Sequence, residues 1–303
     1  MSKRTLGVLA LIGAAIVWGI GPVITKHGLQ DVPPFSLAFL RNVLAIVILL
    51  PLAFRGVRKV LRKDLPNLLL IGLFGSGLNG IFFFAGLSRT SATASIAIFA
   101  TVPLINAIAA SLILKEKPSL VRILGVIIGF LGSFLIALGP TLLGGKLVDG
   151  DVLGNLLVVG SVFFWVAYII GSKKLLEKYS PLTIITFSTL AGTVFLFPLF
   201  FLELVNNPSW YLNVGISGFT AIIYGGIISG VLAFTLFQWG MQYTSAFEAG
   251  IVVYLQPVLT DIFAVPVLGE QLSPVFLIGT ALILGGVFLA TTYELVQKRR
   301  GRS

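Results

Sequence analysis

Cysteine is missing from the 303 residues, so neither a disulfide framework nor a thiolate metal site can be drawn, and thiols say nothing of the redox compartment. Histidine occurs once, at His27, and Asp plus Glu number 11 against 21 Lys plus Arg. The HExxH, GxSxG and P-loop patterns and any cluster of metal ligands are missing too, so no cofactor or metal is expected. The GxGxxG match at Gly75–Gly80 lies inside an apolar run and follows no strand, which sets aside dinucleotide binding. Its glycines read instead as a packing seam of small residues, as do Gly125, Gly129 and Gly132, and Gly225, Gly226 and Gly230. Charge is scarce as well, at 11% of residues, where a soluble domain carries about 25%.

What is abundant is apolar surface. Hydrophobic residues make up 57% of the chain and the mean hydropathy is +1.04, the composition of a polytopic membrane protein. Ten apolar runs, near 6–26, 35–54, 66–87, 91–114, 120–138, 152–172, 181–203, 215–240, 246–268 and 274–295, approach or exceed the roughly 20 residues that cross a bilayer core of about 30 Å. They leave only short loops and no room for a soluble catalytic domain. With the N-terminus inside, 17 of the 21 basic residues fall on cytoplasmic segments, leaving Lys26, Arg41, Arg89 and Lys146 elsewhere. The net charge of +10 is thus accounted for by topology, and no nucleic-acid partner is expected. The expectation is an all-α integral membrane protein, multi-pass in the cell inner (plasma) membrane, with both termini cytoplasmic. Lys3-Arg4 before an apolar run resembles a signal peptide, but Leu6–Thr25 has an internal counterpart around Val152–Gly171, so both runs are read as retained spans.

That counterpart belongs to a duplication. Trp18, Lys26, Pro34 and Pro51 match Trp165, Lys173, Pro181 and Pro198, 147 positions on. Gly86, Thr90, Pro103, Glu116, Gly125 and Gly132 match Gly240, Thr244, Pro257, Glu270, Gly279 and Gly286, 154 positions on. Two five-helix repeats follow, residues 1–140 and 152–303, joined by a linker at 141–151. Five is odd, so the second repeat enters the membrane from the opposite side. Inverted-topology repeats are a recurrent plan of secondary transporters, whose site lies near the bilayer midplane between them.

The Trp18-Gly19 pair, Pro33-Pro34 leading to Leu40-Arg41, and the two TSA…P…E frames at 90–119 and 244–273 resemble the drug/metabolite transporter superfamily, in its ten-helix EamA-type branch. The likeness runs over essentially the whole chain. It implies export or exchange of small metabolites through a central cavity built mainly from helices 1, 3, 4, 6, 8 and 9 of the ten. It leaves the substrate open, since the superfamily spans amino acids, nucleotide sugars and toxic cations.

Candidate solute-binding residues are those whose polarity is costly within apolar runs: Trp18, Asn79, Trp165, Tyr168, Tyr224, Gln238, Tyr254 and Asp261. Asp261 shares a helical face with Tyr254 and Pro257, where the earlier frame has Ala100, Pro103 and Ala107. Two roles fit it: contact with solute or proton, and a buried pairing that locks helices. Glu248, Tyr254, Gln256 and Asp261 are all gains of the second frame over the first. Trp18 and Trp165 lie well inside their runs, which favours cavity walls over interface anchors. Asp261, Glu248 and His27 are candidates for proton coupling, although a helix N-terminus would stabilise Glu248 in any case and His27 fits a solvated loop end. Pro103 and Pro257 each free the carbonyl four residues earlier, which suits a hinge or a solute contact. Arg41 fits carboxylate binding, snorkelling or pairing with a helix end.

The reading that gathers these features is a secondary transporter of small organic metabolites, amino acids or related amphipathic solutes, working by alternating access. Its partners would be the solute and the lipid bilayer, with proton coupling through an acid and a monomer or weak homo-oligomer as the assembly. The alternative from another class, a membrane-embedded enzyme acting on lipid intermediates, needs a catalytic cluster at one membrane face.

Overall fold

Runs of apolar residues with few charges bury their backbone polar groups by closing them into helices, and the computed structural model is built from helices accordingly. It describes residues 1–90, 92–115, 119–142, 152–268, 277–279, 281–286 and 288–289. The order is α1 (Lys3–Gly28), α2 (Pro34–Val57), α3 (Leu65–Gly72), α4 (Asn79–Arg89), α5 (Ala92–Phe99), α6 (Val102–Ile113), α7 (Leu120–Leu142), α8 (Val152–Leu175), α9 (Pro181–Asn206), α10 (Ile216–Ile223), α11 (Phe234–Tyr243), α12 (Ala246–Ile251) and α13 (Leu255–Leu268). Short helical stretches follow at 277–279 and 281–286. The π-helical segment Leu73–Leu78 joins α3 to α4, and a second, Tyr224–Ala233, joins α10 to α11. Six continuous helices are long and apolar enough to span a bilayer: Lys3–Gly28, Pro34–Val57, Arg62–Arg89, Leu153–Leu175, Pro181–Asn206 and Ile216–Tyr243. Their outward faces carry Val47, Leu52, Phe54, Val194 and Phe219, all exposed, as lipid-facing residues are.

The helices at Pro103 and Pro257 are interrupted, because a proline cannot donate to the carbonyl one turn earlier. α5 stops at Phe99 and α6 begins at Val102; likewise a 3-10 turn, Val252–Tyr254, separates α12 from α13. Both breaks fall in the turn before the proline.

Contacts recur in pairs at the spacings of the duplicated motifs. Lys26 Nζ donates to the Leu87 and Thr90 carbonyls at 2.8 and 2.7 Å, at the end of α4. Lys173 Nζ donates to the Met241 carbonyl at 2.7 Å and to that of Thr244, at the end of α11. Each lysine thereby supplies donors to carbonyls that a helix C-terminus leaves open. Acids serve the other helix ends. Glu203 accepts from the Phe35 and Ser36 N–H groups at 3.1 and 2.6 Å, at the N-terminus of α2. Asp31 accepts from the Gly218 N–H at 3.0 Å and from the Ser217 hydroxyl, at that of α10.

Glycine lets backbones approach at matching places. A Cβ on Gly240 would stand 2.7 Å from the Gly7 carbonyl oxygen, and one on Gly86 2.8 Å from that of Gly154. Similarly, a Cβ on Gly132 would stand 2.6 Å from the Gly279 oxygen, and one on Gly286 2.5 Å from the Gly125 oxygen. Without a hydrophobic drive between helices in lipid, this close packing is a main source of association.

Two outcomes follow. Gly86→Ala and Gly240→Ala should each cost about 1–3 kcal/mol by overpacking, read as a lower melting temperature in detergent, whereas Gly80→Ala, with nothing within 4 Å of its Cβ, should be neutral or stabilising by about 0.5 kcal/mol. The Ser217 hydroxyl, then the Gly218 N–H, hold Asp31 below the usual carboxylate range, so its contribution is complete above the ordinary carboxylate value and is lost as pH falls through the folded one. Between about pH 5 and 3 the melting temperature of Asp31→Asn should therefore fall less than that of the wild type.

Candidate functional site

A cavity of about 100 Å³ opens among α1, α2, α4, α5, α8, α11 and α13. Six aromatic rings stand in its wall: Trp18, Phe83, Phe84, Phe99, Trp165 and Phe234. Trp18 meets Trp165 edge to face, with centroids 5.3 Å apart at 85°, and both rest on Phe234 and Phe237. Polar groups are few: Thr25, Arg41, Asn79, Ser229 and Gln256. An aromatic wall with a small set of polar groups is the usual make-up of a small-molecule site.

Irregular backbone adjoins three of the polar groups, Asn79, Ser229 and Gln256, while Thr25 and Arg41 stand on the regular helices α1 and α2. A π segment widens a helix and shifts the side chains after it; Ser229 lies within one π segment, and Asn79 is the first residue after the other. Asn79 donates to the Ser161 carbonyl at 2.9 Å. The break before Pro103 leaves Phe99 at the end of α5, and the 3-10 turn before Pro257 leaves Gln256 in the first turn of α13. Among the described residues no group of three or more His, Asp or Glu side chains converges as a metal site would.

Of the residues singled out from the sequence, Trp18, Asn79, Trp165 and Gln256 come together on the cavity wall. Tyr168 lies behind Trp165, centroids 5.3 Å apart, fully buried with its ring against Gly75. Its hydroxyl accepts from Gln238 Nε2 at 2.6 Å, so these two partner each other outside the cavity. Tyr224 donates to the Val17 carbonyl, and Tyr254 to that of Val126 at 2.8 Å, its ring against Gly129. His27 is partly buried in the last turn of α1. Asp261 falls in the second turn of α13, and its side chain lies outside the described residues. Glu248 is buried, ion-paired to Arg4, and closes a capping box on α12: Ser245 Oγ accepts from the Glu248 N–H at 3.1 Å while Glu248 Oε2 accepts from the Ser245 N–H at 2.9 Å.

Sequence reasoning did not select Arg41, Thr25, Ser229 or the phenylalanine wall as site residues. Arg41 stands out as a charge in an apolar run, where carboxylate binding, snorkelling and pairing with a helix end all fit on residue order. Ser229, Thr25 and the phenylalanines carry no signal that separates a cavity face from a lipid or packing face.

The cavity is one-sided. Gly21, Pro22, Thr25, Arg41, Phe84 and Ser229 line it. Their counterparts at the motif spacings are Tyr168, Ile169, Ser172, Ser188, Gln238 and Gly75, all buried. Where Gly21 leaves space, Tyr168 fills it.

The EamA-like transporter family matches residues 5–138 and 152–292. An uncharacterized transporter of Archaeoglobus fulgidus is 29% identical over 97% of this chain and 99% of its own length. The uncharacterized transporter YetK of Bacillus subtilis is 28% identical over 95% of this chain and 87% of its own. A probable terminal-alkyne amino-acid exporter of Streptantibioticus cattleyicolor is 24% identical over 98% and 97%. A protein crystal structure, 23% identical, matches with a TM-score of 0.75 over 94% of this chain and 98% of that one, which speaks to the fold.

The Glu248 geometry predicts a stabilising role. Glu248→Ala removes both the ion pair and the capping box and should cost about 3 kcal/mol or more. Glu248→Gln keeps an oxygen for the Ser245 N–H and should cost less. Melting temperatures in detergent give the order; a Glu248→Ala protein as stable as the wild type contradicts it.

Proposed function

The chain belongs to the EamA-like transporter family, and from that premise we propose that it is a secondary transporter that carries small organic metabolites by alternating access between two inverted five-helix repeats. On this reading residues 1–140 and 152–303 are the repeats, 141–151 the linker, and ten helices span the plasma membrane with both termini cytoplasmic. Four spans contain the shorter apolar helices and the residues around 277–289. The paired contacts support this arrangement: Lys26 and Lys173, Gly86 and Gly240, and Gly132 and Gly286 each do the same work at matching positions.

The observation that carries the function is the one-sided cavity. Both repeats contribute to it, its wall meets at Trp18 and Trp165, and its mirror position is filled by Tyr168 and Gln238. A carrier of this plan holds one such opening at a time, and exchanging the packing of the two sides moves it across the membrane. The interruptions before Pro103 and Pro257 are where helices bend as that happens. With Thr25 and Arg41 among its lining residues, we read the opening as facing the α1–α2 connection, the outer side in the proposed topology. We read the solutes as amino acids or related amphipathic compounds, exported or exchanged: the wall is aromatic with amides and hydroxyls, and one relative is named an amino-acid exporter. A membrane-embedded enzyme on lipid intermediates fits less well, since no carboxylate or histidine lines the cavity among the described residues.

Counterflow in proteoliposomes loaded with amino acids, amphipathic cations or sugar conjugates tests this. At least one class should exchange, and Trp165→Ala should slow it by about tenfold or more through loss of the wall. If Asp261 couples the carrier to protons, Asp261→Asn abolishes gradient-driven uptake and leaves exchange. Absence of flux for every class, from protein that is folded and correctly inserted, sinks the transporter reading.

A further inference from the structure

Resting on the transporter reading, we propose that the cavity takes its solute by a carboxylate and that Arg41 is the group that recognises it. Arg41 is the cation among the described lining residues, and no acid stands beside it there. Its Nε is buried without a hydrogen-bond partner, and among the described residues no carboxylate pairs with the guanidinium.

The pose of the side chain is set by packing. The guanidinium carbon lies 4.7 Å from the centroid of the Phe84 ring, which holds the head by its π face. A Cβ on Gly225 would stand 3.1 Å from Arg41 Cδ, and one on Gly226 2.9 Å from the Arg41 carbonyl oxygen. These two glycines of the π segment admit the stem and the backbone of α2. The head is thereby directed into the cavity instead of being left to snorkel to the membrane surface.

A purely structural role does not need the charge. The matching position is Ser188, whose Cα would lie 2.6 Å from a Cβ on Gly72, as the Arg41 backbone lies against Gly226. The same helix crossing is thus made once with a neutral residue and once with an arginine. A charge kept in apolar surroundings without a counter-ion is costly, and the cost is relieved when a solute brings the anion. Guanidinium presents a planar fork that matches a carboxylate with two hydrogen bonds. The aromatic rings opposite it, Trp18, Phe99, Trp165 and Phe234, suit an apolar or aromatic body on the same solute. One fork and a small cavity favour a monocarboxylate over a phosphate dianion.

The test uses purified full-length protein and tryptophan fluorescence, since Trp18 and Trp165 line the cavity. The probes are 3-phenylpropionate, isovalerate and phenylalanine, the methyl esters of these acids, 2-phenylethylamine and phenylphosphate. The acids should bind at least about tenfold tighter than the esters and the amine, the loss expected when a charged hydrogen bond goes unmade. Arg41→Gln should remove that preference, and Arg41→Lys should keep part of it. Acid and ester binding alike, or both failing to bind, overturns the inference in the wild type without recourse to a variant. So does unchanged acid affinity in a folded Arg41→Gln protein, and tighter phenylphosphate binding overturns the carboxylate. Counterflow separates the two readings. Arg41-dependent acid binding with no flux of any solute leaves the anion site and removes the transporter; flux of amines or esters, unchanged in Arg41→Gln, leaves the transporter and removes the anion site.

Discussion

The edge-to-face contact of Trp18 and Trp165 is the interaction on which the rest of the structure depends. The two residues hold the same place in the duplicated motifs, and side chains in the same place meet each other only where the two stretches face one another. That meeting point divides the interior. On one side the wall runs to Gly21, Arg41 and Phe84 and leaves a cavity; on the other it runs to Tyr168 and Gln238 and is filled. Phe234 and Phe237 touch both tryptophans, so a change in one ring's position is felt by the other.

Around this centre the polar contacts sort into two kinds. Lys26 and Lys173 reach carbonyls within their own stretch of sequence, at the ends of α4 and α11. Glu203 and Asp31 instead reach across, to α2 and α10, as does Asp64, which accepts from the Tyr179 hydroxyl at 2.7 Å. These three carboxylates lie at helix ends, where water and headgroups can replace a lost partner. Deeper in the helices the crossing contacts combine rings and glycines with side chains that donate to backbone carbonyls, Asn79 to Ser161, Tyr224 to Val17, Tyr254 to Val126 and Thr260 to Gly19, so that each of these polar groups has a partner. The seam between the stretches is thus held by packing together with single hydrogen bonds to backbone carbonyls.

Much of this could be read from residue order, and the reasons are particular. Trp18, Trp165 and Asn79 are expensive in an apolar run, so their presence points inward, and all three reach the cavity. Glycine and proline spacing pointed to the close approaches at Gly129, Gly132 and Gly226 and to the freed carbonyls before Pro103 and Pro257, because those residues act through their own backbone. Tyr168, Tyr224, Tyr254 and Gln238 carry the same inward signal, yet their polar atoms meet other protein atoms. Periodicity places a residue on an inward face; it does not say whether another side chain arrives first. Gln238 shows this well, since its fate is settled by Tyr168, 70 residues away. Phe83, Phe84, Phe99 and Phe234 were illegible for the opposite reason: 24 phenylalanines in one chain serve lipid, core and cavity alike.

The asymmetry of the cavity follows from a few exchanges at matched positions. Gly21 against Tyr168 decides where there is space, Phe84 against Gln238 decides whether an aromatic face or an amide backs it, and Arg41 against Ser188 decides where there is charge. If the two sides exchanged their packing, Tyr168 would have to leave Gln238 and Gly75, and Arg41 would keep its backbone seat against Gly226 while its head followed the solute. On that reading a single cation serves both orientations, anchored by its backbone while its head moves. A solute whose carboxylate neutralises that cation removes the electrostatic cost of closing apolar rings around it, so the empty and loaded carrier would not close with equal ease. On the proposed alternating-access reading, a packing asymmetry of a few side chains, together with one charge that lacks a counter-ion among the described residues, would link occupancy of the cavity to the movement of the helices around it.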